Sequence, residues 1–330
     1  EKYQRIPSTV VKCSYELQQQ RSFSHFFILK AVLLLVLLDS ARPEIETALR
    51  SFLAEDLGFG DITTNALVKP GILATADVVC NEPAVVAGLV ESLALLELVG
   101  CAGKPNVQDG GRVSGGTRLL GINGPGRSLL IVERTMLNLL SHMSGVATAT
   151  AELVAIVKQA NAHARVACTR KTLPGLRYFE KKAVELGGGD THRLRLDDAV
   201  LIKDNHLSLS GSISDSVKTA RSKVSFTKKI EAEVTEPAQA VEAALAGADI
   251  ILLDNMEPGD VRKTVSLLER KNLRLRILLE ASGRISKQNI ADYARTGVDV
   301  VSIGSITHSA RSIDVSMDVK AATSKRRASS

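Results

Sequence analysis

Tryptophan is absent from this 330-residue chain and aromatic residues make up 3% of it. Base stacking needs aromatic platforms. With no reader motif present either, nucleic-acid binding is excluded despite a net charge of +6. Part of that excess sits in the C-terminal "SKRRASS", read as a solvated tail; the remainder suits a site for anionic substrates. Cysteines are few: Cys13, Cys80, Cys101 and Cys168, with no CxxC pair and no metal-ligand spacing. That argues against a zinc or disulfide scaffold and for reduced thiols in a cytosolic-type compartment. Cys168 lies beside a basic "TRK" run, but with no His-Asn constellation it reads as a packing residue. Nucleotide-phosphate motifs are missing as well. No GxxxxGK(S/T) occurs, and "GINGPG" does not lead from a strand into a helix as a dinucleotide fingerprint must. A membrane span is also absent. The apolar run "FFILKAVLLLVLL" is broken by Lys30 and falls short of the roughly 20 residues a span needs. No A-x-A cleavage site follows it. An organelle-targeting segment stays open, but a leader or an extra packing helix is the preferred reading.

What is present is rhythm. Asp39 or Ser40 as cap, Pro43, and Ile45, Leu49, Phe52 and Leu53 at helical spacing predict a helix. From about residue 71 to 130, the β-rich pieces "ATADVVC", "AVVAGL", "RLLGI" and "SLLIVE" surround a helical "ESLALLELVG". Glycine-rich turns punctuate them, predicting a small α+β domain. Helices are predicted over 133–142 and 146–161. Six apolar strands follow, "RVACT", "DAVLIKD", "KIEAEV", "DIILLD", "RILLEAS" and "VDVVSIG". Each precedes an amphipathic helix or a helical stub, the pattern of a parallel α/β barrel.

In such a barrel, ligands bind where the strands end, and the residues there are sorted. Cations gather on the first two strand ends (Arg170, Lys171, Lys203). Carboxylates gather on the next two (Glu231, Glu233, Asp254). Small Ser/Gly turns close the last two (Ser282, Gly283, Gly304, Ser305). The triple glycine of "LGGGDTHR" sets permissive backbone beside fixed positive charge, which suits a site gripping a compact, multiply charged anion. Three subsites are implied: one for an acidic organic substrate, one for a metal-bound polyphosphate, one for a terminal phosphate. "LDDAV" hints at the acidic motif of the other phosphoribosyltransferase fold, but the Thr-Gly turn that motif requires does not follow.

From residue 55 to 319 the chain resembles the quinolinate phosphoribosyltransferase family, the type II phosphoribosyltransferases of NAD biosynthesis. The resemblance is carried in order by "EDLGFGDITT", "VERTMLNLLSHMSGVAT", "TRKTLPGLR", "KKAVELGGGDTHR", "LDDAVLIKDNH", "IEAEV", "ILLDN", "EASG" and "SIGSITHS". It implies an α/β protein: an incomplete parallel α/β barrel with an N-terminal α+β open-sandwich domain. The boundaries are then a leader over 1–38, the open sandwich over 39–150 and the catalytic barrel over 151–312. Residues 313–330 return to the N-terminal domain and end in the basic tail. The resemblance further implies a cytoplasmic, Mg²⁺-dependent enzyme converting quinolinate and phosphoribosyl pyrophosphate to nicotinate mononucleotide, pyrophosphate and CO₂. Its partners are those two substrates and a second copy in a homodimer, or higher oligomer, with shared active sites; no nucleic acid or membrane is involved.

By position in the motifs, Thr169, Arg170, Lys171, His192, Arg193 and Lys203 surround the quinolinate carboxylates and the substrate end of the sugar. Arg134 resembles the arginine that enters the neighbouring subunit's site in this family. Glu233 and Asp254 face the ribose hydroxyls and hold Mg²⁺, and Lys171, Glu233 and Asp254 are the catalytic set. Ser282, Gly283, Arg284, Gly304, Ser305 and Ile306 hold the 5′-phosphate. Arg284 stands where the family commonly has a small residue and is read as an added phosphate contact. Phe59, where polar residues are frequent, is read as a packing change. Two rivals remain: a paralogue using another pyridine carboxylate such as nicotinate, and an inactive anion-binding scaffold subunit.

Overall fold

The computed structural model describes residues 42–160 and 163–322. The leader, the Asp39 or Ser40 cap, Cys13 and the basic tail lie outside the described residues. Of the described residues, 42–55 belong to one compact unit and those from Asp56 onward to a second. Helix α1, Arg42–Leu57, carries Pro43 in its first turn, where a missing N–H costs nothing.

The second unit begins with α2, Ile62–Leu67, capped by Asp61, whose Oδ1 accepts Thr64 N at 2.9 Å. Then come β1 (Leu73–Cys80), β2 (Ala84–Val85), α3 (Leu89–Leu98), β3 (Ala102–Pro105), β4 (Arg112–Val113) and β5 (Thr117–Pro125). A four-stranded antiparallel sheet runs β12-β1-β5-β3, where β12 is Val315–Ala321; β2 and β4 pair separately. In β1, Ala74, Ala76, Val78 and Cys80 are buried and alternate with more exposed neighbours, the two-residue period of a strand with one face on a core. Phe59 does not pack: it is fully exposed, so the packing reading of that position is corrected.

"SLLIVE" is not a strand. It opens α4, Gly126–Ala160, a single helix where two were expected. A short apolar run fits strand or helix equally, and the longer period decides. Leu129, Val132, Met136, Leu140, Met143, Ala147 and Ala151 are all buried, spaced three or four apart along one stripe. Gly145, which lies between the two predicted helices, is helical and marks a close approach. An added Cβ there would lie 2.0 Å from Arg311 O and 3.2 Å from Ser312 Cα. The returning C-terminal segment crosses α4 at that point. Ile313 N donates to Ser141 O at 3.1 Å and Asn81 N to Asp314 O at 2.9 Å, which delivers β12 to the edge of β1. Helix α4 is long and apolar enough to cross a membrane, yet 56% of its most apolar window is buried inside the protein. It is a core helix.

The barrel elements alternate as the sequence predicts: β6 (Arg165–Ala167), α5 (Arg177–Leu186), β7 (Val200–Ile202), α6 (Asp204–Ser210), α7 (Ile213–Lys223), β8 (Ile230–Val234) and α8 (Pro237–Ala246). They continue with β9 (Ile250–Asp254), α9 (Pro258–Arg270), β10 (Leu278–Ser282), α10 (Ile290–Ala294), β11 (Val300–Ser302) and α11 (Ser305–His308). The six strands form one sheet, ordered β6-β11-β10-β9-β8-β7, and every pairing is parallel. Strands β6 and β7 are its two edges, so the barrel is incomplete. Short runs such as Ile230, Ala232 and Val234 or Ile251 and Leu253 are buried, as expected of parallel strands covered on both faces.

The triple glycine answers to packing rather than to an anion. A Cβ on Gly187 would lie 2.5 Å from Ala147 O, one on Gly189 would lie 2.7 Å from Thr150 Cγ2, and Gly188 has φ 86. The loop thus lies flat on α4, and Asp190 bridges in parallel to Ala167 beside β6.

Candidate active site

Parallel strands all deliver their C-terminal ends to one rim. Beyond β6, Thr169 Oγ1 accepts Lys171 N at 3.1 Å, turning the chain so that Arg170 is half-buried and Lys171 exposed. Arg170 Nε is buried and has no acceptor, an orphaned donor of a kind that folded proteins avoid unless something else supplies the partner. The first loop is seated on the last: Thr307 Oγ1 donates to Lys171 O at 2.7 Å. A Cβ on Gly304 would lie 3.0 Å from Lys171 Cδ. Arg193 Nη1 donates to Ala199 O at 3.2 Å, next to β7. Burial pulls the Arg193 guanidinium below its ordinary range, and the charge of Arg170 adds to the effect. Two guanidiniums therefore repel across the same space, a strain that a bound dianion relieves.

His192 follows the Asp190 bridge at φ 50, held there by Asp190 Oδ1, which accepts its backbone N–H at 2.8 Å. Its Nε2 lies 3.3 Å from Glu280 Oε2 and 3.5 Å from Glu231 Oε2. Burial works to lower the His192 pKa, but hydrogen bonds and charge from Glu231 and Glu280 overrule it and raise it to about 10. One contact pulls the other way: Arg193 N–H donates to His192 Nδ1 at 2.7 Å, which favours a neutral ring. A charged ring gives up that one bond, and the carboxylates on Nε2 outweigh it, because hydrogen bonds between charged groups are roughly twice as strong as neutral ones. His192 is thus a third cation beside the two arginines. Burial also pushes the Glu231 carboxyl above the usual carboxylate range. Among the described residues His192, Glu231 and Glu280 are the one His/Cys/Asp/Glu group close enough to hold a metal ion; His192 Nε2 meets one oxygen of each carboxylate, and Glu231 Oε1 is buried without a hydrogen-bond partner.

Lys203 follows β7 and pairs with Glu233 on β8, Nζ to Oε2 at 2.7 Å. Asp254 ends β9, and its Oδ2 accepts Asn255 Nδ2 at 2.6 Å. Glu233 and Asp254 each keep their second oxygen outside these bonds. Ser282 ends β10 and its carbonyl accepts Asn255 N at 2.9 Å. Gly283 and Arg284 follow at φ 92 and 52, so the turn occupies the left-handed region that favours glycine. That explains why a small residue fits position 284; here the arginine side chain is exposed and does not crowd the turn. Gly304 and Ser305 open α11, while the Ile306 side chain is 2% exposed and leaves only its backbone for a ligand. Arg134 is exposed on α4, and no hydrogen bond or ion pair joins it to this rim. Glu231 and Glu280 were legible as strand-end carboxylates; that both meet His192 was not, because the contact forms only across the sheet.

Fold and rim define a class: an incomplete parallel α/β barrel presenting clustered cations, two free acidic oxygens and a tight Ser-Gly turn. That is a receptacle for substrates rich in carboxylate and phosphate. Comparison with known proteins narrows it. Residues 61–144 match the quinolinate phosphoribosyl transferase N-terminal domain, and residues 146–318 match the C-terminal domain of the same family. A probable nicotinate-nucleotide pyrophosphorylase (carboxylating) of Methanothermobacter thermautotrophicus is 48% identical over 272 residues, 82% of this chain and 98% of that protein. The Mycobacterium leprae nicotinate-nucleotide pyrophosphorylase (carboxylating) is 43% identical, over 85% of this chain and 98% of its own. The nicotinate-nucleotide pyrophosphorylase structure from Francisella tularensis superposes with a TM-score of 0.78 at 35% identity, over 84% of this chain and 96% of that one. The chain belongs to the quinolinate phosphoribosyltransferase family.

Proposed function

We infer that the protein is a carboxylating nicotinate-nucleotide pyrophosphorylase, joining the phosphoribosyl group of phosphoribosyl pyrophosphate to quinolinate in de novo NAD synthesis. The observation that carries the reading at this site is the unpartnered, buried Arg170 Nε among Arg193, protonated His192 and Lys171. Arginine takes a carboxylate in two parallel bonds and lysine adds a point charge. These four, with Thr169 and Lys203, hold the two carboxylates so that the ring nitrogen faces the sugar. The C–O bond to pyrophosphate breaks as the C–N bond forms, and positive charge grows on the ribosyl ring, where Glu233 and Asp254 stabilise it. The backbone N–H groups of Ser282, Gly283, Arg284, Gly304, Ser305 and Ile306 receive the 5′-phosphate, with the Arg284 guanidinium beside them.

Glu233 and Asp254 also suit Mg²⁺, which takes oxygen ligands and commonly uses one or two carboxylates plus substrate phosphates. When bound, the ion offsets charge on the departing pyrophosphate. After ring alkylation the electrons of the C–CO₂ bond flow into the pyridinium, CO₂ leaves, and the ring carbon takes a proton. No covalent nucleophile is needed: Cys168 is buried, and burial pushes its thiol up. Positioning and electrostatics carry the rate.

The catalytic barrel spans 151–312. The 39–150 domain contributes Arg134 to the site of a second subunit, and 313–330 completes that domain. The buried free thiols Cys80, Cys101 and Cys168 support a cytoplasmic location for the enzyme. Purified protein with Mg²⁺ and phosphoribosyl pyrophosphate is expected to release CO₂ from quinolinate; folded protein that releases none overturns the reading. Arg134→Ala and Lys171→Ala proteins, each inactive, are expected to regain activity on mixing, and failure to do so removes the shared site.

A further inference from the structure

Lys181, on α5, is 1% exposed, and none of its hydrogen-bond acceptors is a carboxylate. Its ammonium donates to Thr191 O, to Arg193 O at 2.9 Å and to Cys168 Sγ at 3.6 Å. Burying an ammonium is unfavourable unless its donors are met, and burial pulls this one below the ordinary lysine range. The two carbonyls it takes are those on either side of His192, the residue held at φ 50. A non-glycine residue persists in that region only when its surroundings fix it there.

The neighbouring residues of α5 show the same division of labour. Glu180, 0% exposed, serves the other cation-bearing loop: its Oε2 accepts Leu173 N at 3.2 Å while its Oε1 lies 3.0 Å from His142 Nε2. Lys182 reaches away from the rim to Glu91 Oε1 on α3, at 2.7 Å.

We propose that Lys181 is a positioning residue for the dicarboxylate end of the site: by holding the Thr191 and Arg193 carbonyls it keeps His192 and Arg193 in the conformation that grips the substrate. The inference deepens the quinolinate reading and rests on it. Buried beneath the loop, Lys181 touches no substrate. A flexible stem ending in three rotatable donors is what lets one side chain take two carbonyls and a sulfur. Methionine would fill the same length and supply no donor.

The test compares Lys181→Met, Lys181→Arg and Lys182→Met with wild type by quinolinate titration calorimetry, steady-state kinetics, thermal melting and the ¹H–¹⁵N signals of the His192 ring. Loss of two hydrogen bonds from a charged donor is expected to raise the quinolinate Kd of Lys181→Met at least about tenfold. Its KM for phosphoribosyl pyrophosphate is expected to stay within about twofold, and the His192 ring signals are expected to shift. Lys181→Arg keeps donors and is expected to lose about three- to tenfold in quinolinate Kd, which carries the test if Lys181→Met does not fold. Lys182→Met is expected to melt earlier with quinolinate affinity and His192 signals unchanged. Unaltered quinolinate binding in a folded Lys181 variant, or equal weakening by Lys182→Met, overturns the proposal. Wild-type protein that fails to bind quinolinate sinks the functional reading instead, and the His192 signals then decide the positioning role alone.

Discussion

Gly283→Ala is the sharpest probe of the phosphate turn. Gly283 sits at φ 92, and an added Cβ would lie 2.5 Å from Asn255 Oδ1 and 2.8 Å from Asn255 N. Asn255 cannot retreat freely, since its N–H is bound to Ser282 O at 2.9 Å and its amide to Asp254 Oδ2 at 2.6 Å. The substitution therefore incurs left-handed strain of about 1–2 kcal/mol and overpacking of about 1–3 kcal/mol. At about 2–4 °C per kcal/mol for a unit of this size, the melting temperature is expected to fall by about 4 °C or more. Displacing Asn255 also moves Asp254, so the KM for phosphoribosyl pyrophosphate is expected to rise at least about tenfold, equivalent to about 1.4 kcal/mol. Ligand at about 100 times its Kd stabilises wild type by about 2.7 kcal/mol and is expected to protect the variant far less. Thermal melts with and without phosphoribosyl pyrophosphate, together with steady-state kinetics at saturating quinolinate, read both effects. A melt within a degree of wild type and an unchanged KM would refute the reasoning.

Three further outcomes are expected. The His192 pKa is about 10 when folded against 6.5 for the free side chain. A pKa raised by folding stabilises fully below the unfolded value, and that stabilisation is lost as pH rises through the folded value. The melting difference between wild type and His192→Gln is thus largest below pH 6.5 and closes near pH 10; a difference that is flat across that range contradicts the assigned charge. Glu233→Gln is expected to lower kcat by about 10²–10³. Its melting temperature should move by no more than about 2 °C, because the Lys203 side chain of the pair is 45% exposed and such pairs contribute about 0–1 kcal/mol. Gly145→Ala is expected to destabilise by about 1–3 kcal/mol through the Arg311 backbone, with both KM values unchanged in a kinetic assay.

The barrel was legible because each of its strands is a short apolar run followed by a helix, a pattern that local sequence carries in full. The cations and carboxylates at the strand ends were legible for the same reason: parallel strands fix which end is which. Helix α4 was not, since "SLLIVE" and Gly145 each have two local meanings. Only the longer buried stripe and the crossing of residues 311–313 choose between them. The triple glycine misled in a similar way, because what it approaches, Ala147 and Thr150 on α4, lies some 40 residues away in sequence. Phe59 gave no hint that it would be exposed. The buried support beneath the site, Glu180 and Lys181, was invisible for a general reason, as was the pairing of Glu231 and Glu280 with His192. A charged residue in a helix or strand looks solvated until the fold shows what it faces.

The central claim is that Arg170, Arg193, protonated His192 and Lys171 together clasp a dicarboxylate. Calorimetric titration of wild-type protein with quinolinate and, separately, with nicotinate tests it most directly. Each hydrogen bond to a charged group contributes about 1.5–3 kcal/mol, so losing one carboxylate is expected to weaken binding by a factor of roughly 10 to 100. Nicotinate binding as tightly as quinolinate would contradict the account.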